Sequence, residues 1–216
     1  MKEFPQRLLD GYRTFASHRL MTEQSRYREL SERGQSPQVM VIGCCDSRVS
    51  PEVIFDAGPG ELFVMRNIAN LVPVYQPDSA AHGVSAALEY AVTVLRVKHI
   101  VVLGHAQCGG IRAFIDKIEP LSPGDFIGKW MAMFIKPGET VAQRDHETMA
   151  DFTIRIEKAA VFRSLENLMT FPFVRARVEA GALQLHGAYF GVKEGSLFVL
   201  DRVAKEFRSA RELPDQ

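Results

Sequence analysis

Ile100-Val101-Val102-Leu103-Gly104-His105-Ala106-Gln107-Cys108-Gly109-Gly110 is the stretch that decides the fold. Its first four residues form an unbroken apolar run that Gly104 ends, the mark of a strand buried on both faces. Gly109-Gly110 then open a helix reaching about Ile118. Some sixty residues upstream the pattern repeats: Val39-Met40-Val41-Ile42 is followed by Gly43 and Cys44, and preceded by the turn-forming Gly34-Gln35-Ser36-Pro37. Glu61-Leu62-Phe63-Val64-Met65, entered through Gly58-Pro59-Gly60, supplies a further strand. Between them and Ile100, residues 79–95 carry Ala80, Val84, Ala87, Leu88, Ala91 and Leu95 on one helical face. Apolar strands alternating with helices predict an α/β fold with a mostly parallel central sheet flanked by helices.

On the N-terminal side, Leu8, Leu9, Tyr12, Phe15 and Leu20 recur at helical spacing, predicting a helical arm over residues 1–35. On the C-terminal side, residues 119–148 hold several Pro and Gly and read as an irregular excursion with short helical pieces. A helix is expected over 150–169, and another from Pro172 to about Gly181. Residues 183–190 and 196–200 then form a C-terminal β-hairpin around Gly191-Val192-Lys193-Glu194-Gly195. The charged tail from Arg202 reads as helix. No repeat, low-complexity tract or linker interrupts the chain, so a single domain over 1–216 is expected.

With 216 residues, 46% hydrophobic and 24% charged, the chain can bury a sizeable core. Its formal net charge of zero argues against a nucleic-acid partner. No apolar run is long enough to span a bilayer, and the charged N-terminus is not a signal-peptide core, so no membrane partner and a cytoplasmic location are expected. Three cysteines do not make a disulfide framework; in a cytosolic protein they point to metal binding or catalysis.

The placement of those cysteines is informative. Cys44 and His105 each follow a predicted parallel strand, where open α/β sheets build their sites. Cys108 lies one turn on from His105 and reaches the same point. A Cys₂His set is three ligands, and catalytic zinc sites use three plus water where structural sites use four. The side chain of Cys45 should point away from that of Cys44 in an extended segment, leaving the fourth position to water. Two thiolates cancel the charge of Zn²⁺, so that water should be less acidic than at a three-histidine site, and activity should favour alkaline pH. Asp46 can ligate the metal or accept a hydrogen bond from the bound water. Arg48 can pair with Asp46 bidentately and hold it off the metal.

Cys44-Cys45-Asp46-Ser47-Arg48, then His105-Ala106-Gln107-Cys108-Gly109-Gly110, with the block from Pro59 through Asn67 to Asn70 between them, resembles the signature of the β-class carbonic anhydrases. The similarity runs over nearly the whole chain. It implies reversible hydration of CO₂ to bicarbonate and a proton, with one Zn²⁺ per chain on Cys44, His105 and Cys108. It also implies that Asp46 orients the zinc-bound hydroxide and that Arg48 positions Asp46. Gln35, nine residues before Cys44, together with Phe63, Ile68, Tyr90 and Gly109, matches the substrate pocket of the plant-like subtype. Val41 stands where the bicarbonate-regulated subtype has Trp, and the only Trp is Trp130. The resemblance therefore implies water or a substrate mimic, rather than Asp46, as fourth ligand. It further implies a homodimer or tetramer whose active site lies at the dimer interface. The N-terminal arm would wrap a neighbour, and Gln35, Phe63 and Tyr90 would serve the partner's zinc.

Two other functions are compatible with the same residues. One is a hydrolase of a CO₂ analogue such as carbonyl sulfide or carbon disulfide. The other is a zinc or redox regulatory protein without turnover, for which the Asp46–Arg48 dyad would have no use. Among the remaining histidines, His82 is the candidate proton relay, and Cys45 is a candidate oxidation-sensitive thiol.

Overall fold

The computed structural model describes residues 4–78, 80–136 and 139–214. Residues 1–3 of the expected arm, Ser79 of the expected helix and the Pro137-Gly138 pair lie outside the described residues. Six strands form one sheet in the order β2-β1-β3-β4-β5-β6. They are β1 Val39–Cys44, β2 Leu62–Asn67, β3 His99–His105, β4 Gln184–Gly191, β5 Ser196–Asp201 and β6 Glu206–Ser209. The first four strands in that order are parallel, and β5 and β6 continue antiparallel.

The apolar runs do what their continuity predicts. One face of the sheet carries Met40, Ile42, Ile100, Val102 and Leu185 into a core with Val161, Leu165 and Leu168 of α7 (Met149–Leu168). Val41, Leu103 and Ala188 are buried on the opposite face. Gly104 permits the close approach of α7, since a Cβ there would stand 2.6 Å from a methyl of Val161. Thr148 caps α7 by accepting the Asp151 N–H at 3.1 Å. The strands run two residues further than their apolar cores, so Cys44 and His105 are the last residues of β1 and β3. Gly43 pairs with Leu103, so both residues leave the sheet at neighbouring points.

Several expectations are corrected. The arm is two helices, α1 (Gln6–Ser17) and α2 (Arg19–Arg33), broken at His18, and neither holds a buried residue. A one-turn helix, α3 (Pro51–Ile54), follows β1. The helix expected from residue 79 starts only at Gly83. Asp78 accepts the Ala80 N–H and bonds the His82 ring, forming a turn in place of a first helical turn. It runs as α4 (Gly83–Glu89) and widens to a π turn over Tyr90–Val94. The tail beyond Arg202 is mainly a strand, with only a single 3-10 turn over Ala210–Glu212 in place of the expected helix. Asp201 accepts the N–H groups of Val203 and Ala204, reversing the chain into β6, where Phe207 packs on Phe162 and Tyr189. The remaining helices are α5 (Gly109–Ile115), α6 (Phe126–Ala132) and α8 (Pro172–Glu179). Among the described residues, no helix is long and apolar enough to cross a membrane.

Candidate metal centre

The ligand-type atoms of Cys44, His105 and Cys108 lie within 4.8 Å of one another. All three residues are buried, at 3% exposure or less. The two Sγ atoms are 4.0 Å apart. Two sulfurs at about 2.3 Å from a tetrahedral zinc stand about 3.8 Å apart, so the spacing suits that ion. The histidine is oriented for it as well. His105 Nδ1–H donates to the Ala106 carbonyl at 2.9 Å, which leaves the Nε2 lone pair free. That Nε2 is buried and has no hydrogen-bond partner. A buried orphan acceptor beside two thiols is costly unless a cation takes it up. The three residues therefore fit zinc.

Charge gives the same answer. A hydrogen bond from Cys108 holds the Cys44 thiol well below its ordinary range, against the cost of burying the charge. The same bond, with burial, pushes Cys108 up. Burial opposes charge on His105, but the Cys44 thiolate beside it raises its pKa. The two sulfurs thus oppose each other's ionisation. A divalent ion removes the conflict by stabilising both thiolates.

Two loops carry the ligands, and side chains lock them together. Arg48 clamps Asp46: Nε donates to Oδ1 at 2.9 Å and an Nη donates to Oδ2 at 2.7 Å. The Arg48 backbone N–H adds a third bond at 3.0 Å. Arg48 also donates to the Gln107 carbonyl at 3.0 Å, tying the Cys44 loop to the His105–Cys108 loop. These bonds, the Arg48 side chain first, hold the Asp46 carboxyl far below the usual carboxylate range. Asp46 stands outside the three-ligand group. Arg66 donates to the carbonyls of Cys44 at 2.8 Å and Asp46 at 2.7 Å. Asn67 bonds both the N–H and the carbonyl of Leu71 at 2.9 Å, forcing a tight turn. Within it, Ala69 and Asn70 take φ values of 61° and 49°, in the left-handed region. The turn aims the Ala69 N–H at Cys44 Sγ, 3.4 Å away. Cys45 is an exposed free thiol and stands outside the three-ligand group.

Residues 39–197 match the family model described as carbonic anhydrase. Beta carbonic anhydrase 3 of Arabidopsis thaliana is 37% identical over 196 residues, covering 88% of this chain and 74% of the plant protein. This chain belongs to the β-carbonic anhydrase family. Solved structures agree. The beta-carbonic anhydrase CcaA matches with TM-score 0.85 at 28% identity, over 98% of this chain and 92% of that one. A tetrameric beta-carbonic anhydrase of Sordaria macrospora matches with TM-score 0.74 at 30% identity, over 91% and 96%. The protein is a zinc-dependent carbonate dehydratase, interconverting CO₂ and bicarbonate.

The residues expected to line the substrate pocket fall into two groups. Gly109 opens α5 directly after Cys108, and a Cβ there would meet nothing within 4 Å, so space lies beside the ligand loop. Ile68 is 37% exposed and packs on Gly110, its carbonyl taking the Trp130 indole N–H at 2.8 Å. Gln35 and Tyr90 line a separate cleft with Leu30 and Val94. The Tyr90 ring lies 6.0 Å from that of Phe63. Phe63 pairs with Met40, four residues before Cys44, which is about 13 Å along the strand. Within one chain, Gln35, Phe63 and Tyr90 are therefore not brought to the metal ligands. His82, the candidate relay, pairs with Asp78 at 2.7 Å.

Arg66, Asn67 and Ala69 went unassigned in the sequence beyond their place in a matching block. A signal for them is the polar Arg-Asn pair that ends an apolar strand beside the Cys44 strand. The ring nitrogens of His99 and His186 meet at 3.1 Å across β3 and β4. That contact depends on strand pairing, which spacing does not reveal.

Proposed function

We propose that this zinc carbonic anhydrase hydrates CO₂ through an Asp46–Arg48 dyad, in a pocket completed by a second copy of the chain. The observation that carries this reading is the bidentate Arg48–Asp46 pair beside the three ligands. Zinc held by Cys44, His105 and Cys108 supplies the Lewis acidity that makes water a nucleophile. Asp46, kept ionised by Arg48, can only accept hydrogen bonds. It would accept a hydrogen bond from the water and so orient that water toward CO₂. Both Asp46 oxygens are engaged by Arg48, which would keep the carboxylate from competing with Cys44, His105 and Cys108 for a bound zinc. Ile68 and the open space at Gly109 give the small apolar CO₂ molecule a place beside it.

The partner is needed for the remaining residues. Gln35, Phe63 and Tyr90 stand too far from their own ligands to line that place, and they serve the site of a second copy. The arm supports this: α1 and α2 bury nothing, while Phe4, Leu8 and Tyr12 are 61%, 56% and 64% exposed. An apolar helix face without a partner in its own chain is a docking surface. Gln35, and Val41 in place of Trp, support the plant-like subtype, whose site stays open to water.

Zinc content and stopped-flow CO₂ hydration test the reading. Wild type is expected to hold one zinc per chain and to hydrate CO₂ faster as pH rises above neutrality. Cys44→Ser loses zinc and activity together. Asp46→Asn keeps zinc but loses roughly 10²-fold in rate, the usual scale for one proton-handling group. An Asp46→Asn enzyme at wild-type rate would remove the dyad from the mechanism.

A further inference from the structure

Glu157 is a carboxyl group at 2% exposure on α7, and no step of the reaction uses it. Such a group needs partners for both oxygens. Oε1 accepts the backbone N–H of Cys108 at 2.9 Å, across 49 residues of sequence. Oε2 accepts the Tyr189 hydroxyl at 2.6 Å. The adjacent Lys158 does not pair with it; its ammonium sits over the rings of Tyr189, Phe198 and Phe207.

The loop it touches has little else to hold it. Between β3 and α5, the Ala106 N–H reaches the Phe190 carbonyl at 2.9 Å, and Arg48 binds the Gln107 carbonyl from the solvent side. Gln107 itself has φ 57°, a left-handed conformation that persists only where its surroundings enforce it. Cys108 follows, at 1% exposure, and its N–H has no partner in the sheet or in α5. Glu157 supplies that partner from the buried side. Elsewhere on the same helix, Ser164 bonds the Asn70 carbonyl at 2.9 Å and Asn167 the Val72 carbonyl at 2.8 Å. One helix thus braces the backbone on both sides of the metal point.

We propose that Glu157 is a positioning residue for zinc: it fixes the Cys108 backbone so that the thiolate stands at the metal point before the ion arrives. The proposal rests on Cys44, His105 and Cys108 being the zinc ligands. It is distinct from a general brace of the fold because the contact is made to a ligand residue's own N–H. Groups that orient ligands in this way typically set metal affinity by about 10- to 100-fold.

The test is zinc affinity by chelator competition on the full-length protein, with Co²⁺ substitution as a second readout. Glu157→Ala is expected to bind zinc roughly 10- to 100-fold more weakly and to shift the thiolate-to-cobalt charge-transfer band. Glu157→Gln keeps an acceptor for the Cys108 N–H and a donor for the Tyr189 oxygen. It is expected to stay within about threefold of wild type, on the scale where orienting partners cost tenfold or more. KM for CO₂ should not move in either variant, since Glu157 touches no substrate. Wild-type affinity and an unshifted band in Glu157→Ala overturn the proposal. So does a Glu157→Gln as weak as Glu157→Ala, because charge rather than the splint would then be at work. Should Glu157→Ala not fold, Tyr189→Phe, which frees Oε2 but keeps the Cys108 bond, is the second variant. A loss of zinc there equal to that of Cys108→Ser would also overturn it. Failure of the ligand assignment looks different: wild type itself would then hold no zinc.

Discussion

At the C-terminal ends of β1 and β3, three ligands are buried to 3% exposure or less, and the loops that carry them are held by Arg48 of the Cys44 loop, Arg66 of β2 and Glu157 of α7. In α1 and α2, no residue is buried, and Leu8, Tyr12 and Met21 are exposed. The first region is complete in one chain. Metal binding can therefore be an intrachain property, while the proposed pocket calls on a second copy. On that proposal the molecule separates holding zinc from using it.

The most forceful way to break that comparison is to disable the arm. Leu8→Asp with Tyr12→Asp is expected to dissociate the dimer, seen by sedimentation velocity, and to lower hydration by about tenfold or more at equal chain concentration. Zinc per chain should stay at the wild-type value. Loss of zinc along with activity would show that the two regions are not independent.

Mixing gives a sharper test. Cys44→Ser and Gln35→Ala should each be inactive or nearly so as homodimers. Co-refolded at equal amounts, they are expected to recover about a quarter of wild-type activity, because half the dimers are mixed and each mixed dimer has one whole site. If Gln35 served its own zinc, mixing would recover nothing.

A smaller effect probes the metal side of the comparison by acid. Because Asp46 has a depressed pKa, its ion pair with Arg48 is complete above the ordinary carboxylate value and is lost only as pH falls through the lowered one. Glu147, pushed to about 2 mainly by Arg155, behaves the same way where the segment before α7 is anchored. Carboxyl-carbon NMR should find both ionised at pH values where ordinary carboxylates have taken up protons. Protonation of Asp46 at an ordinary value would mean that the clamp is open in solution.

The sheet and the ligands were legible because their signals are local. Four-residue apolar runs ending in Gly-Cys and Gly-His mark both a strand and its exit, and Asp46–Arg48 lies two residues apart. What went unread depends on contacts between distant segments. Glu157 is one of three polar residues on the buried stripe of α7, with Ser164 and Asn167, and a polar residue on such a stripe is a signal that something beneath needs a partner. What it binds becomes visible only when α7 lies on the sheet. The strand β6 was missed because Glu206-Phe207-Arg208-Ser209 is short and charged, with one inward aromatic to mark its period of two. The split of the pocket between two groups was legible only through the family resemblance, since Gln35 in a turn carries no signal of its own.

The left-handed turn at Ala69 has a consequence for anyone seeking a hardier catalyst. Glycine accepts a φ of 61° without the clash that alanine suffers there, so Ala69→Gly relieves strain, partly offset by a freer unfolded chain. Its thermal midpoint is expected to hold or rise by a few degrees. Yet the same strain keeps the Ala69 N–H trained on Cys44 Sγ. A relaxed backbone would wander, the thiolate would lose a donor, and the variant is expected to trade catalytic potency for robustness, read as a lower kcat at saturating zinc.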